Sequence, residues 1–318
     1  MTLFVEKAAL IMSIQDLGRK GYQRFGMPGS GPMDWRAFRW ANLLVGNQPN
    51  CACVEMGMTS SMIFAESDAL LAACGCGYRL FRNNREMPLW MGFIVKRGDH
   101  LHFNKCTGGN WVYLAVSGGI LSPIWMGSRS VYPRAGLGKL LTDGDELPLP
   151  SLLDSSRLLA GSSIPEIARP AYTHEPLIHV IPGPHIDQFT SFSQDEFWGF
   201  SFTLTPKMDR MGYRLTGPTL VHKNSADILS QGLALGQIQV PADGQPIVMM
   251  PDHPTAGGYT SIATVAQVDL PFLAQAEPGQ SKIHFAPITV PSAQQLLMDI
   301  HKNLKFASPM QEESWRDL

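Results

Sequence analysis

The chain has 318 residues, of which 44% are hydrophobic and 16% are charged, so it can bury a large core and is neither a disordered tail nor a charged coiled coil. Its 25 Lys and Arg residues against 27 Asp and Glu residues give a net charge of -2, which disfavours binding to nucleic acid. The length allows two domains or one large one, and 30 Gly with 24 Pro predict many short elements, as is typical of β structure.

The N-terminal residues lack the pattern of a signal peptide, and no run of about 18 apolar residues predicts a membrane span. An odd number of cysteines without a signal favours a reducing compartment, so we predict a cytoplasmic protein. Two Cys-x-Cys pairs leave one residue between the thiols, whereas structural zinc sites usually have about two to four. We therefore predict free thiols and no metal. The five cysteines are Cys51, Cys53, Cys74, Cys76 and Cys106.

The first strong local pattern in the chain is a helix over residues 35–45. Asp34 is a good N-cap for it, and Gly46 stands where a helix commonly ends on a glycine. The preceding loop, residues 26–33, is dense in Gly and Pro. Such a loop before a helix can bind an anion through backbone N–H groups, but it can equally be a tight turn.

Short strands dominate the pattern after residue 61. Residues 78–82 and 85–89 flank Asn83-Asn84, which predicts a two-residue hairpin turn because Asn tolerates positive φ. A turn followed by a strand that ends in His-Phe occurs at residues 96–103 and again at residues 277–285, which hints at a repeated β design.

The proline- and serine-rich stretch 151–176 loses periodicity and is predicted to link two halves. We therefore place an N-terminal β lobe at residues 1–165 and a C-terminal β lobe at residues 166–318. A strand is predicted at residues 177–181.

The C-terminal part of the chain predicts one more helix. Ser292 and Gln295 form a capping-box pattern before an amphipathic helix, and the tail after Phe306 is polar and predicted to be loose.

Several standard catalytic motifs do not occur in the sequence. It contains no G-x-x-x-x-G-K-[ST] loop for ATP, no G-x-S-x-G elbow, no H-E-x-x-H zinc motif and no Ala-Met-Lys-Met acceptor for covalent biotin. Four glycine-rich polar phrases stand between apolar strands instead. They cover residues 127–138, 209–215, 236–246 and 252–259.

These phrases combine flexible backbone with charged or amide side chains, as a binding loop requires. Arg129 and Arg210 can clamp a carboxylate or phosphate, and Asp209, Asp252 and His253 can move protons. The alternative is that neighbouring Asp and Arg residues pair at a surface and that the glycines close hairpins.

In this order the phrases resemble the family of the 5-oxoprolinase C subunit. The same family is met as allophanate hydrolase subunit 2 and as the A/B half of the carboxyltransferase domain of urea carboxylase. The resemblance runs from about Gln15 to Phe285. Beside the four phrases it rests on residues 15–19 (QDLGR), 21–22, 28–34 (P-x-S-G-x-M-D), 41–47, 113–120, 269–271 and 273–275.

The resemblance implies a mainly β fold of two related cyclophilin-like β-barrel lobes with a few short helices. It implies a complex with proteins like the B and A subunits of 5-oxoprolinase, which together open 5-oxo-L-proline to L-glutamate with ATP. ATP would bind at an unusual site or be bound on or shared with another subunit, and no covalent biotin is expected on this chain. The implied catalytic residues are Asp209, Arg210 and His253. The implied substrate- or phosphate-binding residues are Arg129, Arg134, Tyr213, Gln239, Gln245, Tyr259, Ser30 and Asp34.

Two other functions agree with the same resemblance. The chain can be a carboxyltransferase module that acts on urea or a similar amide beside a biotinylated protein. It can also be a non-catalytic regulator that binds a kinase inhibitor related to the B subunit. In each case the expected partners are proteins and a small molecule, with no nucleic acid and no membrane.

Overall fold

A computed structural model of the chain describes residues 1–152 and 154–306, so the tail predicted after Phe306 lies outside the described residues. The chain forms two compact units. Within the described residues, the first comprises 1–19, 30–171 and those from 301 onward, and the second comprises 20–29 and 172–300. The predicted lobe boundary after residue 165 lies close to the start of the long segment of the second unit. A single boundary does not describe two further segments. Residues 20–29 belong to the second unit although they lie early in the chain, and residues from 301 onward belong to the first unit although they lie late in it.

The described part of the first unit consists of eleven strands, one complete α-helix and the last turns of a second helix. They are β1 (Thr2–Lys7), β2 (Ile11–Gln15), α1 (Trp35–Leu44), β3 (Cys53–Gly57), β4 (Ser61–Ala65), β5 (Ala69–Gly75), β6 (Tyr78–Arg82), β7 (Arg85–Met87), β8 (Met91–Val95), β9 (His100–Lys105), β10 (Trp111–Val116) and β11 (Glu146–Pro148). Short 3-10 helices lie at Pro133–Ala135, Asp154–Leu159 and Glu166–Ala168.

Two antiparallel sheets organise these strands. One has the order β11-β1-β4-β9-β6-β7 and the other the order β2-β3-β10-β5-β8. Strand β4 alternates buried and half-exposed residues, as expected when one face covers a core. The core contains side chains from both sheets, among them Leu3, Phe103, Met56 and Val112. Each such side chain contributes about 1.5–3 kcal/mol through burial.

Helix α1 packs against β5 and β10 of the second sheet. This contact explains why every residue of β5 and β10 is buried, since their strands have the core on one face and the helix on the other. The helix prediction is confirmed at both ends. The Asp34 carboxylate accepts hydrogen bonds from the N–H groups of Arg36 and Ala37, and Gly46 has a φ of +70° beyond the last turn.

The predicted hairpin of the first unit is also confirmed. β6 and β7 pair antiparallel around Asn83 and Asn84, which have φ values of +49° and +68°. Positive φ at both central residues is the geometry of the tight turn that matches the twist of two strands.

The second unit consists of nine strands and the remaining α-helices of the described chain. They are β12 (Leu177–Pro182), α2 (Ser191–Gly199), β13 (Phe202–Met208), β14 (Gly212–Thr216), β15 (Asp227–Gly232), β16 (Gln237–Gln239), β17 (Ile247–Met249), β18 (Ala256–Tyr259), β19 (Ser261–Val265), α3 (Leu270–Ala274), β20 (Lys282–Pro287) and α4 (Val290–Phe306). The last turns of α4 belong to the first unit.

Seven of these strands close a barrel in the order β12-β19-β16-β17-β14-β13-β20, in which β12 and β20 pair in parallel. The strands β15 and β18 form a separate two-stranded ribbon. Phe202, Tyr213 and Val248 are fully buried side chains of the barrel strands. The barrel confirms the prediction of a mainly β fold with barrel architecture, and β12 confirms the strand predicted at residues 177–181.

The capping box predicted for α4 is wrong. The helix begins at Val290, and the hydroxyl of Thr289 accepts the N–H of Ser292, so Ser292 already lies in the first turn. Pro291 fits that turn because N–H groups in the first turn of a helix have no acceptor within the helix, so a proline costs no hydrogen bond there. Gln295 bonds to Asp299 instead of to the helix start. Among the described residues, no helix is both long and apolar enough to span a membrane.

Candidate functional site

A buried carboxylate organises the loops of the first unit directly after β2. Asp16 is 3% exposed, and its Oδ1 accepts hydrogen bonds from the hydroxyls of Ser128 at 2.6 Å and Ser130 at 2.7 Å. Oδ1 also accepts the N–H of Gly18 at 2.8 Å, and Oδ2 accepts the N–H of Arg129 at 2.6 Å. One carboxylate therefore holds the turn that follows it and the whole stretch 128–130.

A buried arginine connects the same stretch to the loop before α1. The guanidinium of Arg19 donates to the carbonyl oxygen of Ser130 and, at 2.9 Å, to the hydroxyl of Ser30. Ser30 and Gly31 have φ values of +56° and +99°. A Cβ at Gly31 would lie 3.3 Å from the carbonyl carbon of Leu17, so the two loops pack backbone against backbone and glycine is needed there.

Arg129, one of the predicted binding residues, lies in the stretch that Asp16 holds. Its backbone is fixed by Asp16, and its side chain is partly exposed. Its guanidinium makes no hydrogen bond and no ion pair with any residue that the structure describes. Burial raises the pKa of the Cys51 thiol, while a backbone hydrogen bond with Gln48 and the positive charge of Arg129 oppose that rise. Arg129 is thus a charged group with unused donors close to Cys51.

Asp34, the next predicted binding residue, is fully buried and caps α1. Its N–H donates to the hydroxyl oxygen of Tyr113 at 2.7 Å, and that hydroxyl donates to Glu55 Oε2 at 2.7 Å. Glu55 also accepts the N–H of Met33 at 2.8 Å. Burial, together with the charges of Glu55 and Asp34, raises the pKa of Tyr113 far above its ordinary range. These contacts fix the start of the helix and the end of the loop before it.

In the second unit, Arg210 is held in a buried ion pair. Its Nε lies 2.8 Å from Asp252 Oδ2 and its Nη2 lies 3.2 Å from Asp252 Oδ1, with 7% and 5% of the two residues exposed. The N–H of Asp252 donates to the Arg210 carbonyl at 2.7 Å. The two predicted phrases that contain these residues are therefore joined by side chains and by backbone.

Asp209 stands next to this pair at the edge of a groove of about 480 Å³. Its Oδ1 accepts the N–H groups of Met211 and Gly212, which fixes the turn between β13 and β14. The groove is lined by three methionines and an isoleucine together with two cationic side chains. Its lining includes Met208, Met211, Met249, Ile247, Lys207 and Arg214.

His253 and Tyr213 are both buried. The Nδ1 of His253 lies 2.7 Å from the Pro254 carbonyl, so Nδ1 carries the proton and donates. Burial lowers the pKa of His253, and the Pro254 bond and the Asp252 charge oppose that change, so the ring is neutral at neutral pH. Tyr213 donates to the Ala274 carbonyl at 3.2 Å at the end of α3.

The other predicted binding residues lie in both units, and each has its own local surroundings. Gln239 is buried, and its side chain donates to the Tyr259 carbonyl at 3.2 Å. Tyr259 itself ends β18 with its ring exposed. Gln245 accepts the N–H of Gly217, which supports a turn, and Arg134 lies exposed in a 3-10 helix. Among the described residues, no group of three or more His, Cys, Asp or Glu residues is arranged to hold a metal ion.

Sequence reasoning assigned no role to Asp16, Arg19, Glu55 or Tyr113. The signal that could have found Glu55 and Tyr113 is a polar residue in the middle of a fully apolar strand, since such groups are buried only with partners. Asp16 and Arg19 stand in the QDLGR stretch, where a strand ends on charged residues. Each of these four residues is held by hydrogen bonds to another loop or strand.

Comparisons with known proteins match almost the whole chain. The family described as "Carboxyltransferase domain, subdomain A and B" matches residues 25–287. The C subunit of the 5-oxoprolinase of Escherichia coli K12 is 37% identical over 306 residues, which cover 92% of this chain and 93% of the relative. This chain is thus similar to that relative nearly from end to end.

Solved structures agree with the sequence matches. The K. lactis urea amidolyase has a TM-score of 0.88 and 28% identity over 100% of this chain, which spans 20% of the amidolyase chain. The protein TTHA0988 has a TM-score of 0.80 and 31% identity over 90% of this chain, which spans 55% of that protein. In both structures the similar region is part of a longer polypeptide.

Proposed function

This chain belongs to the family of carboxyltransferase domains, subdomains A and B, and from that premise we propose that it is the C subunit of a 5-oxoprolinase. The observation that supports this choice is sequence identity. The chain is 37% identical to the C subunit of the Escherichia coli 5-oxoprolinase over 92% of its length, and 28% identical to the K. lactis urea amidolyase. In the proposed complex it acts with A-like and B-like partner proteins in the cytoplasm, where its five free thiols remain reduced.

The proposed reaction opens the lactam of 5-oxo-L-proline to give L-glutamate. An unstrained lactam is a poor electrophile, so ATP transfers its γ-phosphoryl group to the lactam oxygen and leaves as ADP, which makes the carbon open to attack by water. Cleavage of the C–N bond then opens the ring to an amine and an acyl phosphate, and a second water hydrolyses this acyl phosphate to L-glutamate and phosphate. The sequence contains no Walker loop, and we propose that ATP is bound on or shared with a partner protein.

We propose that Arg129 binds the carboxylate of the substrate. Its side chain is partly exposed, and the unused donors of its guanidinium can form two parallel hydrogen bonds with a carboxylate. Arg210 has the opposite character, because its Nε and Nη2 already bond to Asp252. Asp209 remains the proposed proton-transfer residue of the second unit, since it lines the groove. We propose that buried Arg210 and His253 support this turn.

The test is reconstitution. The chain is co-expressed with its A-like and B-like partner proteins, and L-glutamate formed from 5-oxo-L-proline and ATP is measured. We expect activity from the three proteins together and none when this chain is omitted. Full activity without this chain would contradict the proposal.

A carboxyltransferase acting on urea is the second candidate, and it is supported by the TM-score of 0.88 with the K. lactis urea amidolyase. It predicts that the chain transfers a carboxyl group from a biotinylated carrier protein to urea. Incubation with carboxybiotin-loaded carrier, urea and no 5-oxo-L-proline distinguishes the two, since a component of a 5-oxoprolinase leaves the carboxybiotin unchanged.

A further inference from the structure

The stretch Ser128-Arg129-Ser130 is attached to a single side chain. The flanking hydroxyls and the N–H of Arg129 all donate to the Asp16 carboxylate, at 2.6–2.7 Å. The Ser130 N–H in turn donates to the Ser128 hydroxyl oxygen at 3.0 Å. Because three consecutive residues share one anchor, the base of the Arg129 side chain has a fixed position and direction.

Donors other than the Arg129 guanidinium already use most of the Asp16 carboxylate. A carboxylate offers about four acceptor positions. Four donors already bond to it, namely two hydroxyls and the N–H groups of Gly18 and Arg129. An aspartate next to an arginine would ordinarily pair with it and neutralise it. Here the backbone and the serines supply three donors to Oδ1 and one to Oδ2, and the Arg129 guanidinium makes no hydrogen bond to the carboxylate.

We propose that Asp16 is a positioning residue that holds Arg129 ready to bind a ligand carboxylate, in the proposed 5-oxoprolinase the carboxylate of 5-oxo-L-proline. This inference rests on the proposed function for the identity of the ligand, but not for the link between Asp16 and Arg129.

Charge balance favours a carboxylate over a phosphate at this position. Arg19 and Arg129 supply two positive charges and Asp16 supplies one negative charge, which leaves a net charge of +1 for the three side chains. A carboxylate with one negative charge balances this, whereas a phosphate with about two would not. The planar guanidinium also matches the two oxygens of a carboxylate.

The first experiment measures KM in the reconstituted complex for Asp16→Asn, Arg129→Ala and the double variant. Asparagine has the shape of aspartate but offers one acceptor oxygen, so it releases part of the stretch 128–130. We expect KM for 5-oxo-L-proline to rise about tenfold or more in either single variant, as for a lost charge-assisted hydrogen bond. KM for ATP should stay unchanged in all three.

The double variant separates positioning from general support of the fold. If Asp16 acts through Arg129, the double variant has the same KM as Arg129→Ala, because Asp16 has nothing left to position. Independent, multiplying effects of the two substitutions would overturn the inference. Arg79→Gln is the matched control, since Arg79 is an exposed arginine on β6 and should leave KM unchanged.

A second experiment needs neither activity nor partners. The Arg129 charge lowers the pKa of the Cys51 thiol relative to what burial alone would give, so the pH dependence of Cys51 alkylation reports where the guanidinium is. We expect the midpoint to move to higher pH in Arg129→Ala and also in Asp16→Asn, with the exposed Cys106 as internal reference.

The sign of this shift is decisive. Loss of the negative charge at Asp16 without movement of Arg129 would lower the Cys51 midpoint or leave it unchanged, whereas displacement of Arg129 raises it. A lower or unchanged midpoint in Asp16→Asn would overturn the inference. Should Asp16→Asn not fold, Ser128→Ala removes one of the four donors and should raise the midpoint by a smaller amount.

The two experiments keep the inference apart from the proposed function. If Arg129→Ala leaves KM for 5-oxo-L-proline unchanged, the ligand assignment is wrong, while the alkylation result still decides whether Asp16 holds Arg129. If Arg129→Ala raises KM but Asp16→Asn does not, the proposed function stands and the positioning role fails.

Discussion

Two regions of the molecule use the same pair of residue types in opposite ways. In the first unit, the Asp16 carboxylate is bonded to hydroxyls and backbone N–H groups, and the neighbouring Arg129 side chain makes no bond to any described residue. In the second unit, the Asp252 carboxylate is bonded to the guanidinium of Arg210 itself, with both residues buried. One arginine is available to a ligand and the other stabilises a turn.

The difference shows what decides whether a charged residue can serve a ligand. Both arginines stand in glycine-rich polar phrases, and both have an aspartate nearby. The decisive quantity is how many acceptor positions of that aspartate other donors already occupy. Substitutions in the two regions should therefore change different properties, stability for one and ligand binding for the other.

The largest effect is expected in the second region. Asp252→Asn leaves the buried Arg210 guanidinium facing a neutral amide, and loss of one partner of a buried ion pair costs about 3–5 kcal/mol. Urea denaturation of the purified chain should show a lower free energy of unfolding. Glu86→Gln is the control, because Glu86 pairs with Arg79 at the surface and its loss should change little. Equal unfolding midpoints of Asp252→Asn and wild type would contradict the assignment.

A smaller loss of unfolding free energy is expected when the buried hydroxyl of Tyr113 in the first unit is removed. Tyr113→Phe leaves the Asp34 N–H and the Glu55 carboxylate short of one partner each, at a cost of about 1–3 kcal/mol. The same denaturation experiment measures it. Phe38, which packs edge-on against Tyr113 at 6.0 Å, offers the matched control Phe38→Leu for loss of ring packing without loss of a hydrogen bond. A Tyr113→Phe variant as stable as wild type would contradict this role of the hydroxyl.

Protonation of His301 in the first unit should change stability by a still smaller amount. Burial, with a contribution from Arg39, lowers the pKa of His301 to about 4, and its ring packs edge-on against Trp35 at 5.7 Å. A base with a lowered folded pKa stabilises above its unfolded pKa of about 6.5, and that contribution is lost as pH falls towards 4.

His301→Phe keeps a ring at this position and removes the titration. Its melting temperature should fall less than that of wild type between pH 6.5 and pH 4, by about 1–3 °C, since the ring is only partly buried. Thermal unfolding followed by circular dichroism at both pH values measures the difference. Identical pH dependence in the two proteins would show that His301 is not the titrating group.

The smallest effect on stability is expected for Arg129→Ala. The guanidinium makes no bond to a described residue, so its loss should change the free energy of unfolding by less than about 0.5 kcal/mol. Denaturation beside Asp252→Asn places both regions on one scale. A loss as large as that of Asp252→Asn would mean that Arg129 stabilises the fold, and the contrast between the two regions would collapse.

The sequence predicted those elements that are determined by local chemistry. Helix α1 has a cap at each end, the β6–β7 turn needs positive φ at two asparagines, and β12 shows a clear alternation. The start of α4 was misplaced because Thr289 and Ser292 are equally good caps by residue type, and Pro291 decides between them by its position in the first turn.

The sequence could not predict which of the two arginines is bonded to an aspartate, and the reason is physical. Asp16 lies 112 residues before Ser128, and Arg210 lies 42 residues before Asp252, so both contacts depend on how the sheets bring loops together. The QDLGR stretch supported the family resemblance, but only the folded chain shows which acceptors its aspartate has left. Residue type identified the candidates, and tertiary contacts separated them.

Discrimination between a charged and a neutral substrate by the reconstituted complex tests the central claim most directly. The measurement is the ratio of kcat/KM for 5-oxo-L-proline to that for its carboxamide, in wild type and in Arg129→Ala. If Arg129 binds the substrate carboxylate, the ratio should fall about tenfold or more in the variant, because activity falls for the acid but not for the amide. An unchanged ratio would show that Arg129 does not recognise the carboxylate.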